Sequence, residues 1–148
     1  GGYGDARGLV AALALGADGI NMGTRFCATR EAPIHDNVKQ AYIDNDERGS
    51  FLIFRKLKNT ARVGRSAVSE EVVRRLAQPD ATFDDVRELV AGAKGREVLE
   101  TGDLSRGVFW AGMVQGLIHD TPSCAELIDR IVAEAEEIVR NRLGGMIA

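Results

Sequence analysis

Two glycine-bearing turns stand one helix and one short strand apart at the start of this chain. That spacing constrains the fold more than any other feature. The first turn is Gly1-Gly2-Tyr3-Gly4 and the second is Asn21-Met22-Gly23-Thr24. Asp5 can cap a helix by accepting from its first free N–H groups. Leu9, Val10, Leu13 and Ala14 give that helix an apolar face, and Gly16 offers a left-handed stop. Asp18-Gly19-Ile20-Asn21-Met22 then reads as a short buried parallel strand. This alternation is the repeat of an α/β protein. A single strand cannot cover both faces of a parallel sheet. With no methionine or strand before Gly1, we expect the chain to be the C-terminal part of something longer.

The turns themselves point to an anion. Glycines lack a Cβ, so their backbone N–H groups can approach a phosphate closely. Gly23-Thr24 adds a hydroxyl, and a short helix beginning at Thr24 would aim its free N–H groups at the same place. In (β/α)8 barrels the loops after strands seven and eight, with such an extra helix, often build a phosphate site.

The remainder has a different character. Asp36 to Asp44 predicts a short helix, and Ser50-Phe51-Leu52-Ile53-Phe54 is the best strand candidate. Ser69 is expected to open a helix that Pro79 ends. Thr82-Phe83-Asp84-Asp85 resembles a capping box before Val86, Leu89 and Val90. Gly107 to Met113 reads as a helix with small residues and Trp110 as its anchor, able to lie across a barrel mouth. Ser123-Cys124-Ala125-Glu126 is a capping box, followed by the strongest amphipathic stripe of the chain, from Leu127 to Val139, which Gly144-Gly145 ends. Residues 1–30 are therefore expected to close a parallel α/β fold, and residues 31–148 to form a mostly helical appendage.

Charge and composition narrow the partners. A net charge of −3 gives no general pull toward nucleic acid or anionic lipid. No run approaches the roughly 18 apolar residues of a membrane span. Cys27 and Cys124 belong to no CxxC or metal-spaced cluster; two ordinary thiols fit a reducing cytoplasm, and no metal site is expected. Arg55, Lys56, Lys58, Arg62 and Arg65 form a basic stretch without a carboxylate. It reads either as an exposed strand and turn or as a surface for an anionic substrate or carrier protein. His35 and His119 each precede an aspartate, which suits turns or caps, so neither is assigned a catalytic role.

Gly1-Gly2-x-x-Asp5-x-Arg7-Gly8, Ala11-Ala12-x-x-Leu15-Gly16-Ala17-Asp18-Gly19 and Met22-Gly23-Thr24-Arg25-Phe26 together resemble the flavin-phosphate region of nitronate monooxygenases. The resemblance continues through Pro33-Ile34-His35-x-Asn37-x-Lys39, Asn59-Thr60-x-Arg62 and Gly112-Met113-Val114-Gln115-Gly116-Leu117-Ile118. It implies the last βα units of a TIM (β/α)8 barrel and FMN as cofactor. Gly1, Gly2, Asn21, Met22, Gly23 and Thr24 would hold the flavin phosphate. It also implies a nitronate as small-molecule substrate, O2 as oxidant and a possible homo-oligomer. Asn21 stands where many members have Gln, and Tyr3-Gly4 replaces a more usual aliphatic-small pair. The family's catalytic histidine lies before Gly1, so no catalytic residue is assigned, and the isolated chain is expected to be inactive. The first 26 residues equally resemble flavin-dependent enoyl-acyl carrier protein reductases, the alternative reading. A third reading is a non-catalytic phosphate-binding or helical interaction module.

Overall fold

The computed structural model describes residues 2–147. Helix α1, Ala6–Ala14, begins where Asp5 Oδ1 accepts from Gly8 N at 3.1 Å, and the chain leaves it through Gly16 at φ +91. Residues 18–22 form no strand. The physical reason is the one that makes parallel strands buried: none of the described residues runs beside this segment to complete its hydrogen bonds. The described residues therefore hold no parallel sheet. The sheet they do hold is a two-stranded antiparallel hairpin.

Helix α2 is one turn, Thr24–Cys27, and α3 spans Asp36–Asp44, as expected. Strands β1, Ser50–Ile53, and β2, Ala61–Gly64, pair with Ser50 opposite Gly64 and Ile53 opposite Ala61. Helix α4, Ala67–Leu76, starts before Ser69, because Ser66 is the cap and Ser69 completes the box from its third position. Residues 82–90 are consecutive turns rather than a helix; Asp85 accepts from the N–H and hydroxyl of Thr82, and Val86 is buried. Helix α5, Gly92–Thr101, has a poor sequence signal, with no capping side chain and two glycines. Helix α6, Cys124–Glu137, carries the expected Ser123–Glu126 box, and a π-type turn, Ile138–Leu143, follows before Gly144.

The segment from Gly107 is not a helix up to Met113. It runs beside β2, with an antiparallel bridge between Trp110 and Val63 and a bond from Gly64 N to Phe109 O at 2.8 Å. A short 3-10 turn follows at Met113–Leu117. Alternation along an extended chain decides which aromatic is the anchor. Phe109 is 1% exposed and meets Tyr42 edge-on at 5.7 Å, whereas Trp110 is 62% exposed.

Two cores hold this assembly. Val38, Tyr42, Val98, Phe109 and Ile118 form one, joined by Ala28. Ile53, Val63, Val72, Val86 and Val108 form the other, under the hairpin and α4. Helix α1 packs on α6 through a smaller cluster, Ala6, Val10 and Ala135.

Candidate functional site

The two glycine turns converge on one short segment, residues 112–117. Gly4 lies against Val114, so closely that a Cβ there would meet its side chain. Thr24 Oγ1 accepts from Gly112 N at 3.0 Å. The sequence marks Gly112 only as one of several small residues between Gly107 and Met113, with no signal that Thr24 is its partner.

A second tie fixes α2. The Arg25 side chain is 2% exposed and donates to Asp120 Oδ1 at 2.9 Å and to the Asp120 carbonyl at 3.2 Å. Asp120 also accepts from Arg130 of α6 at 2.6 Å. Arg130 and Arg25 together hold the Asp120 carboxyl below the usual carboxylate range. Burial pulls the Arg25 guanidinium below its ordinary value against the opposing pull of Asp120. Gly4, Asp5, Arg25, His119, Asp120 and Arg130 help line a cleft of about 260 Å³ here. Its cations and carboxylates neutralise one another, so it works as a clamp between α2 and α6. Asp120 was not singled out beyond its place after His119.

Of the residues expected to hold a phosphate, Gly1 lies outside the described residues. Gly2 is exposed at φ +86, a conformation that favours glycine, with no atom within 4 Å of a Cβ built on it. Asn21 and Gly23 are exposed, and Met22 and Thr24 are half-buried. A Cβ on Gly23 would likewise find no atom within 4 Å. The N–H groups of a helix's first turn have no partner within the helix, so at α2 an open space, unpaired donors and a hydroxyl coincide. No hydrogen bond among the described residues joins Gly2 to Gly23.

The histidines sit elsewhere in role. His35 caps α3, its Nδ1 accepting from Asn37 N at 3.1 Å, and it packs on Gly102. His119 is exposed at the cleft rim. Cys27 and Cys124 are free and half-buried, and burial raises the Cys27 thiol. Among the described residues no group of three or more His, Cys, Asp or Glu could hold a metal ion, and no helix is long and apolar enough to cross a membrane.

The model of the nitronate monooxygenase family matches residues 1–134. The chain belongs to that family. A nitronate monooxygenase of Neurospora crassa is 29% identical over 147 residues, covering 95% of this chain and 38% of the fungal protein. A 5-hydroxy-7a-methyl-1-oxo-octahydro-1H-indene-4-carboxyl-CoA dehydrogenase of Mycobacterium tuberculosis is 30% identical, covering 91% of this chain and 48% of that protein. The solved structure of FabK from Thermotoga maritima superposes with a TM-score of 0.86 at 32% identity, over 97% of this chain and 45% of its own. The chain therefore spans less than half the length of these relatives. Within the nitronate monooxygenase family, then, it corresponds to a portion built around the two turns and the elements that brace them.

Proposed function

We propose that this chain is the C-terminal part of an FMN-dependent oxidoreductase that oxidises alkyl nitronates with O2, and that it supplies the clamp for the flavin phosphate. In that assignment residues 1–30 close a TIM barrel and residues 31–148 form the mostly helical part. The observation that carries the reading is the open glycine at Gly23 beside the Thr24 hydroxyl. Because Thr24 Oγ1 already accepts from Gly112 N, its own proton is left for an acceptor, and a phosphate oxygen is one.

The residues present fit the group. Gly2, Gly23 and the first N–H groups of α2 would donate to phosphate oxygens, with Thr24 adding its hydroxyl and Asn21 and Met22 forming the approach to the turn. Gly1 belongs to the same proposal. The Thr24–Gly112 bond and the Arg25–Asp120 pair keep α2 in place, so binding needs little reordering of the protein. A bound flavin would supply the redox chemistry of nitronate oxidation, with O2 as the electron acceptor. The expected test is nitronate-dependent oxygen uptake without NADH by the intact parent protein; no uptake with any nitronate sinks this reading.

Two observations favour a second reading, reduction of an enoyl thioester. One relative is named as a carboxyl-CoA dehydrogenase at 30% identity, level with a nitronate monooxygenase at 29%, and FabK is among the structural matches. NADH oxidation driven by an enoyl thioester would decide for it. A cytoplasmic location, a small-molecule substrate and a possible homo-oligomer complete the proposal.

A further inference from the structure

The hairpin has one open edge, and its register shows which groups face it. Arg65 N donates to Gly49 O, so Gly49 and Arg65 form a hydrogen-bonded pair, and alternation makes Phe51/Val63 and Ile53/Ala61 the next two. Gly64 N, in the pair between, donates outward to Phe109 O. Its partner Ser50, and likewise Leu52, therefore turn their N–H and C=O groups away from β2. Segment 108–110 lies on the other side of β2, and no described backbone group outside the hairpin bonds to Ser50 or Leu52. Ser50 is buried and Leu52 is 37% exposed, which centres the opening on Leu52.

Unpaired edge groups are a template for another strand, and proteins commonly blunt them with a charge or a proline. β1, Ser-Phe-Leu-Ile, carries neither. Four residues are too few to hold a partner alone, so the groups flanking the strand decide what fits beside it.

Those groups are oppositely charged. Before β1, the exposed residues Asp44, Asp46 and Glu47 stand against one cation, Arg48. After it, the exposed tip carries Arg55, Lys56 and Lys58, and no carboxylate occurs from Phe54 to Arg65. Leu57 N and Asn59 N donate back to the Phe54 carbonyl at 3.0 and 3.3 Å, which folds the tip at the strand's end. Lys56 Nζ donates to the carbonyls of Gln78 and Pro79. Arg55 and Lys58 form no ion pair or side-chain hydrogen bond among the described residues. The open edge is acidic at its start and basic at its end. A parallel copy would set like charges together, whereas an antiparallel copy sets each acidic end against the other's basic tip.

We propose that β1 pairs antiparallel with β1 of a second copy of this chain, about a two-fold axis at Leu52. Each Leu52 exchanges its free N–H and C=O with its counterpart, and the two side chains meet across the axis. Arg55 and Lys58 of each copy lie along Asp46 and Glu47 of the other. The surface is self-complementary, as a two-fold requires. It joins two hairpins into one sheet whose outer members are the two 108–110 segments, each leading to its own Gly112–Thr24 bond. The inference rests on the homo-oligomer proposed above, to which it gives a surface, and it is independent of the reaction catalysed.

The experiment is sedimentation equilibrium of the 148-residue chain and its variants at low and high salt. A dimer is expected, weakened by about tenfold as salt screens the end charges. Leu52→Pro deletes an N–H that faces away from β2 and leaves the pairs with β2 in place; it should weaken the dimer by about tenfold or more. Should that variant misfold, the charges decide, because Glu47 and Arg55 are both exposed. Glu47→Lys and Arg55→Glu should each weaken the dimer by about tenfold, since the axis repeats every change. Together they should restore it to within about twofold, because the reversed charges meet again across the axis. A dimer that ignores Leu52→Pro and both charge variants overturns the edge and leaves a homo-oligomer held by another face. Single charge effects that merely add in the double variant overturn the edge as well. A chain that stays monomeric at every concentration sinks both the edge and the homo-oligomer.

Discussion

Residues 2–30 and residues 31–118 bury themselves by different means. The later region has two cores of its own, and Tyr42, Phe109 and Ile118 are among its largest wholly enclosed side chains. The earlier region contributes Ala6 and Val10, flanked by Leu9, to a cluster shared with α6, plus Ala28 and the half-buried Cys27 to a core built mainly by others. Leu13 and Leu15 remain 47% and 87% exposed. What places the earlier region is a few polar ties, Thr24 to Gly112 and Arg25 to Asp120. A segment whose task is to present backbone donors has little apolar surface to spare, so its position depends on neighbours. The contrast teaches that the scaffold and the site can fail separately.

The sharpest way to break the contrast is to attack the scaffold. Phe109→Ala should cost about 3–5 kcal/mol, read as a fall in the urea midpoint. Gly64→Ala should also destabilise, by about 1–3 kcal/mol, because a methyl there runs into the Phe109 ring. If both variants melt like the original chain, the second strand and the 108–110 segment are not packed as described.

Cutting a tie should matter less. Arg25→Met removes a buried cation whose partner Asp120 is 44% exposed and keeps Arg130. With solvent screening at that end, a loss of about 2 kcal/mol is expected. Amide exchange at residues 24–28 should rise more than in α3. Uniform acceleration through the chain would show that the ion pair stabilises the whole molecule rather than α2.

Function without scaffold damage is the next separation. A Cβ on Gly23 meets no atom within 4 Å, so Gly23→Ala should keep the isolated chain's stability to within about 0.5 kcal/mol. The same change in the intact parent should lower flavin retention, because the side chain fills the space offered to phosphate. Unchanged flavin content would remove Gly23 from the clamp. The 148-residue chain itself should bind FMN no more tightly than about 1 μM, since only the phosphate end is held; a tighter complex in a flavin titration would show that more of the site lies within it.

The smallest effect concerns pH. The Ser123 N–H and then Arg30 lower the Glu126 carboxyl from about 4.5 to about 2. A carboxylate depressed on folding stabilises fully above its ordinary value and loses that contribution as pH falls toward the folded one. The start of α6 should therefore loosen between about pH 4.5 and pH 2, seen as faster amide exchange there. Glu126→Gln should flatten that response.

Several elements were legible because their causes are local. The Asp5 and Ser123 caps, the α3 span and the β1 span all follow from neighbours within a few residues. The Ser66 start of α4 was displaced by a second serine that could play either role in the box. Residues 82–90 carry a cap signal without enough following turns to propagate a helix. Residues 18–22 have strand composition but lack a strand beside them. The glycine turns of the candidate site could be read directly, while the partners that position them, Gly112 and Asp120, lie 88 and 95 residues along the chain.

What the sequence determined by itself is local and chemical. It set where helices begin, where backbone can turn left-handed, which turns expose N–H groups, and a family likeness that runs from Gly1 through the last long helix. Tertiary structure alone decided that Phe109 rather than Trp110 is the anchor, that both glycine turns meet at residues 112–117, and that Arg55 and Lys58 have no side-chain partner among the described residues. The physical reason is range. Caps and turns are settled by hydrogen bonds a few residues apart, whereas burial and pairing depend on which distant segments share a strand edge or a core.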